Sequence, residues 1–285
     1  MRKLLKVTTI MVIFLTLISK VSGFVREQIL AFQYGASKVA DAYITVMSLP
    51  QYVSNIVGGM FLSCFVPIYL SIKEERGDKE AVIFTWRVFW LILFWVIVLS
   101  LFFLLFLTRF IGFLYFGEDV TSEQLFLIKT IFPVQALLIL SLLLTSIFNA
   151  EGLFYYPIIS SIIMNFIFIV ILVCLNQGIN SLVLATLLSS FIQLLYLIWK
   201  VPKNKFCMVK VKFNLGISRD IKEFLLMGTP MLIGTFFSQS FSVFDKILGK
   251  DLPEGSISAL SYAYKLTQLP IGVITMGIST ILLSS

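Results

Sequence analysis

The sequence predicts an all-α fold, a polytopic membrane bundle of about eight transmembrane helices, and three observations carry that prediction. Hydrophobic residues make up 59% of the 285 and charged residues 13%, whereas a soluble domain has about 45–50% and roughly 25%. Mean hydropathy is +0.99. Runs of about 20 apolar residues recur, each long enough at about 1.5 Å per residue to cross a hydrocarbon core of about 30 Å. The ten-residue alternation of a membrane barrel is absent, so the backbone must satisfy its own polar groups within helices.

Breakers and polar links divide the chain into eight spans. The first, Lys6–Tyr34, follows Met1-Arg2-Lys3 and the apolar run VTTIMVIFLTLIS. That opening imitates a secretory signal, but Lys20 interrupts the place where a small-residue cleavage motif belongs and helix-compatible sequence continues to Tyr34. It reads as a retained helix. GASKV leads into Ala40–Ile72, KEERGDKE into Ala81–Phe116, and GEDVTS into Ser122–Asn149. The third of these spans is long enough to hold a tilted or interfacial segment around Arg109. AEGLFYY precedes Pro157–Asn176, and NQGIN precedes Ser181–Trp199. A longer basic link, KVPKNKFCMVKVKFNLGISRD, then separates the sixth span from Ile221–Leu248, and GKDLPEGS introduces Ile257–Leu283.

The formal charge of +7 does not indicate nucleic acid, because the basic residues sit in short links beside apolar spans. Counted in alternate links, Arg2, Lys3, Lys6, Lys73, Arg76, Lys79, Arg87 and the Lys200–Lys222 cluster fall on one side. Lys38, Arg109 and Lys250 fall on the other. The amino terminus is therefore expected in the cytoplasm, with the chain multi-pass in the membrane. Cys64, Cys174 and Cys207 are scattered and no histidine accompanies them, so neither a metal site nor a disulfide framework is indicated. The lack of histidine and of any recognisable nucleophile arrangement also argues against an enzyme.

The informative residues are charges inside apolar spans, each costing about 2.5–3.5 kcal/mol at the centre of an isolated helix. Lys20 and Glu27 are seven residues apart, nearly two turns, so they share a helical stripe and are candidates for an internal pair. Arg26 lies about 120° around from Lys20, but Gly23 between them permits a bend that turns both cations toward one cavity. The alternative is that Arg26 and Glu27 snorkel to the outer interface. Asp41 opens the second span, where it either caps the helix or contributes to the site. Pro50, Ser54, Asn55, Gly58 and Gly59 form a small, polar stripe suited to close helix packing or to a moving part. Asp245 and Lys246 are adjacent, which leaves one to be buried and the other to snorkel. Lys265 lies about nine residues into the eighth span, too deep for a link charge. The residues thus predict a cationic chamber of Lys20, Arg26 and Lys265, suited to an anion and above all to phosphate, in a carrier with a mid-membrane site.

SKVSGFVREQILAFQYGASKVADAY (residues 19–43) closely resembles the opening of the MurJ/MviN lipid II flippase family. That family carries a Ser-Arg/Lys-x-x-Gly-Phe-x-Arg-Asp/Glu motif and then a Phe/Tyr-Gly-x-x-x-x-Ala-Asp-Ala turn. LSCFVPIY, FPVQALLILSLLLTSIFNAEGLFYYP and VFDKILGKDLPEGSISALSYAYKLTQLPIGV look like the same family, so the likeness runs the length of the chain. It implies two six-helix lobes related by pseudo-symmetry and movement of an undecaprenyl-diphosphate-linked sugar precursor across the bacterial cytoplasmic membrane for cell-wall synthesis. Its substrate-binding residues match Lys20, Arg26, Glu27, Asp41 and Lys265, and a sodium-binding aspartate falls at Asp245. No resident cofactor is expected; a sodium ion or the membrane potential would supply energy. The partners implied are the lipid-linked diphosphate sugar and membrane lipids. Two departures stand out. PQYVSN puts Ser54 or Asn55 where the family often has arginine, and lysine replaces arginine at Lys20 and Lys265, keeping charge while losing the bidentate fork.

The expected organisation is a six-helix lobe over 1–200, a basic cytoplasmic linker over 201–220, and the first two helices of a second lobe over 221–285. A half-built chamber is expected to be a fragment, a truncated gene product or one part of a split transporter completed by a second polypeptide. Two other readings stay open: a cation-coupled drug exporter of the same superfamily, which would favour an acidic pocket, and a membrane scaffold that transports nothing.

Overall fold

The computed structural model describes residues 2–117, 120–175, 178–202, 218–268 and 271, with side chains from residue 10 onward except at 107. It is an all-helical membrane bundle. Six of the described helical stretches are long and apolar enough to cross a membrane by length and composition. The first helix, α1 (Arg2–Tyr34), is continuous. Ser37 caps α2 (Lys38–Met60), its side chain accepting from the Ala40 amide. Pro67 has no amide hydrogen to give the carbonyl four residues back, and the chain widens into a π turn over Phe61–Phe65 just ahead of it before continuing as α3 (Val66–Arg76).

The third span is also divided. Helix α4 (Asp78–Phe102) passes through a π turn at Phe103–Leu107 into α5 (Thr108–Phe116). There the Thr108 hydroxyl donates to the carbonyls of Phe103 and Leu104 at 3.2 and 3.1 Å, so the expected irregularity near Arg109 is a widened turn within the helix. A capping box at Thr121 and Gln124 starts α6 (Ser122–Ile131), and Pro133 separates it from α7 (Val134–Ala150). Helices α8 (Tyr155–Leu175), α9 (Ile179–Lys200) and α10 (Arg219–Leu248) follow. Residues 256–268 form α11, the described part of the eighth span. Most of the expected linker, 203–217, lies outside the described residues.

Links meet alternately at the two ends. At one end Lys73 lies 3.0 Å from Glu151 and 3.5 Å from Asp78, Tyr69 donates to Glu151, and Arg76 grips Asp220 at 2.5 Å. At the other end the Tyr34 hydroxyl reaches Gly178 O and Ser181, and Lys38 faces Glu254 at 3.8 Å. Each end also holds an apolar core. One is built on Phe61, Phe65, Phe84, Phe148 and Phe224, the other on Leu30, Ile128, Ile131, Leu172 and Leu182. The outer faces carry exposed Phe14, Trp95, Phe106, Phe166 and Phe237, as expected where hydrocarbon rather than water is the surrounding solvent.

The small stripe on α2 does the packing its composition suggests. A Cβ on Gly58 would fall 2.9 Å from Leu142 of α7, and one on Gly59 would fall 3.1 Å from the Thr235 hydroxyl of α10. With no side chain at Gly59, α10 packs closely against α2, running antiparallel to it, with Tyr52 bonded to Ser240 and Asn55 to Gln239.

Candidate functional site

Between the two apolar cores lies a cavity of about 1080 Å³, walled by α1, α2, α7, α8, α9, α10 and α11. Its walls follow from the sequence of each helix. On α9 the apolar residues Leu182, Val183 and Ala185 belong to one core and Leu194 and Leu197 to the other. The intervening Thr186, Ser189, Ser190 and Gln193 face the cavity. On α2 the same change occurs between Met47 and Met60, where Gln51, Ser54 and Asn55 line the space.

The charges converge at Glu27. Its carboxylate accepts from Arg26 Nη2 at 2.7 Å and from Lys265 Nζ at 2.5 Å, one cation on each oxygen. The Glu27 side chain is 11% exposed, that of Arg26 22% and that of Lys265 40%. A buried carboxylate shared by two cations meets the condition under which charge is tolerated inside a membrane protein, since each group has an opposite partner. The cluster still carries a surplus positive charge. Counting the described lining residues, Arg26, Lys246 and Lys265 against Glu27 and Asp245 give 3 − 2 = +1. Arg26 is steadied by Phe168 of α8, whose ring centroid lies 5.3 Å from the guanidinium carbon.

Helix α8 supports this stretch of α1 with a row of polar contacts. Ser19 bonds Ser161 at 3.2 Å, Asn165 donates to Ser22 at 3.0 Å, and a Cβ on Gly23 would sit 3.5 Å from the Asn165 amide. Gly23 is therefore a packing position against α8 within one unbroken helix.

The expected residues separate accordingly. Arg26, Glu27 and Lys265 come together on the cavity wall. Lys20 is exposed and does not border the cavity, and the partners of Glu27 are Arg26 and Lys265. Asp41 also stands outside the lining. It accepts from the amides of Gly255 and Ser258, both at 2.7 Å, and so caps α11 rather than its own helix. Gly255 has φ 86° and sits so close to the Ala36 backbone that a Cβ would meet the carbonyl oxygen at 2.5 Å, which is why glycine makes this junction. Asp245 and Lys246, expected to part company, both border the cavity.

A sodium ion takes several oxygen ligands. Besides Glu27, already held by two cations, Asp245 is the one carboxylate among the described lining residues, and Lys246 stands next to it. No group of three or more acidic or cysteine side chains that could hold a metal occurs among the described residues. Asp245 stands on the cavity wall with Ser238, Gln239 and Ser242 of the same helix. Sequence reasoning overlooked Asn165, Ser141 and Gln193, although each is a polar residue in a long apolar run, the signal that could have found them.

Comparison with known proteins agrees with this architecture. Residues 30–285 match the family model described as lipid II flippase MurJ. A protein named probable lipid II flippase MurJ from Buchnera aphidicola of Schizaphis graminum is 32% identical over 283 residues, covering 95% of this chain and 54% of that protein. One of the same name from Aquifex aeolicus is 29% identical over 277 residues, covering 94% and 54%. A solved structure titled lipid II flippase MurJ, inward closed conformation, superposes with a TM-score of 0.75 at 26% identity, covering 96% of this chain and 58% of the other. The chain spans about half the length of the curated relatives it matches.

Proposed function

The chain belongs to the lipid II flippase MurJ family, and we propose that it contributes the first lobe and the start of the second to a transporter of an undecaprenyl-diphosphate-linked sugar precursor. The observation that carries this reading is the Arg26–Glu27–Lys265 cluster on the wall of a 1080 Å³ mid-bundle cavity. Glu27 uses one Arg26 nitrogen, which leaves the remaining guanidinium donors for the paired oxygens of a diphosphate. Lys265 supplies a second point charge from the opposite lobe. A diphosphate entering the cavity competes with Glu27 for both cations. Because the cations come from α1 and α11, its charge couples the two lobes, and their rocking exposes the head group alternately on the two sides while the lipid tail stays in the bilayer.

In this reading residues 1–200 form one lobe, 221–285 begin the other, and the amino terminus faces the cytoplasm. Asp41 acts on the site from a distance by capping α11, which carries Lys265. Lys20 remains a candidate for first contact with the head group outside the cavity. Asp245 enters as an acidic wall residue, and no step runs through sodium. The excess of cations on the described walls disfavours a pocket for cationic drugs.

The test is complementation of a flippase-depleted bacterium with the locus encoding this chain and any adjoining reading frame. Wild type restores growth and Arg26→Ala does not. Equal growth of both would remove Arg26 from the mechanism.

A further inference from the structure

The cavity has a second, uncharged wall. Helices α7 and α9 contribute Ser141, Thr145, Ser189, Ser190 and Gln193 to the lining, and none of the residues they place there is charged. Two oxygens in this wall, Ser141 Oγ and Gln193 Oε1, are buried without a hydrogen-bond partner. Ser141 as a whole is only 4% exposed. Leaving a buried polar atom unpaired carries a penalty, which a bound group of the right chemistry relieves.

The Gln193 oxygen only accepts, so its partner must bring O–H or N–H. A diphosphate ionised at neutral pH brings none, and its place is by the cations. Ser54 and Asn55 of α2, both uncharged, lie on the same cavity. Hydroxyls and carboxamides together match a ligand that both donates and accepts at closely spaced points, as the hydroxyls and acetamido groups of a pyranose do.

We propose that Ser141 and Gln193 form a subsite for the uncharged sugar attached to the diphosphate, so that one cavity reads charge at Arg26 and Lys265 and hydroxyl pattern on α7 and α9. This rests on the reading of the cavity as a diphosphate-lipid site, and the test separates the two. The purified chain in nanodiscs is titrated with undecaprenyl diphosphate and with undecaprenyl-diphospho-N-acetylglucosamine, and the affinity ratio is measured for wild type, Ser141→Ala, Gln193→Leu and Arg26→Ala. Wild type should prefer the sugar-bearing lipid. Gln193→Leu and Ser141→Ala should each lower that preference about threefold to tenfold, the equivalent of one net hydrogen bond, while binding of the sugar-free lipid, which reports a folded cavity, stays unchanged. Arg26→Ala should weaken both lipids alike. An unchanged ratio in Gln193→Leu and Ser141→Ala, or no wild-type preference, overturns the sugar subsite and leaves the diphosphate reading standing. Failure of wild type to bind either lipid overturns both.

Discussion

Replacing Asp41 with alanine should loosen the amino-terminal end of α11 without touching the cavity wall. The carboxylate takes two amide hydrogens, from Gly255 and Ser258, each at 2.7 Å. A hydrogen bond to a charged acceptor contributes about 1.5–3 kcal/mol, and loss of a helix cap about 0.5–2 kcal/mol. The two bonds share one carboxylate and do not add fully, so about 3 kcal/mol is a reasonable total. At 1.4 kcal/mol per decade, local opening becomes about a hundredfold more frequent. Hydrogen–deuterium exchange of the chain in nanodiscs, resolved to a peptide containing residues 255–258, reads this directly. Asp41→Asn, which keeps one neutral acceptor oxygen, should fall between wild type and alanine. Exchange at 255–258 within twofold of wild type in Asp41→Ala would refute the capping role, since the geometry leaves those amides no comparable acceptor.

Three further outcomes follow from the packing. Gly59→Leu should push α10 from α2, because even a Cβ meets Thr235 at 3.1 Å; overpacking of this kind costs about 1–3 kcal/mol, seen as a lower midpoint in thermal unfolding in detergent. Asn165→Leu removes the bond to Ser22 and should reduce unfolding free energy by about 0.6–1.7 kcal/mol, the range for interhelical polar contacts in a membrane, measured by denaturant titration in mixed micelles. Arg76→Ala and Asp220→Ala, singly and together, should show a favourable coupling in a double-mutant cycle read by denaturant titration at low salt, because the 2.5 Å ion pair links α3 to α10, and the coupling should shrink as salt is raised; no coupling at low salt would contradict the pair.

Much of the bundle was legible because the membrane imposes one rule on every span: apolar faces outward and satisfied backbone within. Span positions followed from hydropathy, and the small stripe at Gly58 and Gly59 announced close packing. The π turns at Phe61–Phe65 and Phe103–Leu107 were not legible as such, since Pro67 marks a disturbance without saying how the helix absorbs it. At the site, Arg26, Glu27 and Lys265 stood out because charge is costly in hydrocarbon. Which cation Glu27 holds was not legible, because helical periodicity favours Lys20 on geometry within α1 alone, whereas Lys265 arrives from a helix more than 200 residues away. Asp41 illustrates the same limit: its position suggested a cap, but the helix it caps is determined by tertiary contact. Ser141 and Gln193 passed unnoticed, since one hydroxyl or amide in an apolar run is cheap enough to be packing.

The central claim is that the guanidinium of Arg26 and the ammonium of Lys265 meet a diphosphate within the bundle. Titration of the nanodisc-embedded chain with undecaprenyl diphosphate, with undecaprenol as the phosphate-free control, tests it most directly. The account predicts at least a tenfold loss of affinity in Arg26→Ala and in Lys265→Ala for the diphosphate lipid, with undecaprenol unaffected. Equal binding of the diphosphate lipid by wild type and both variants would contradict it.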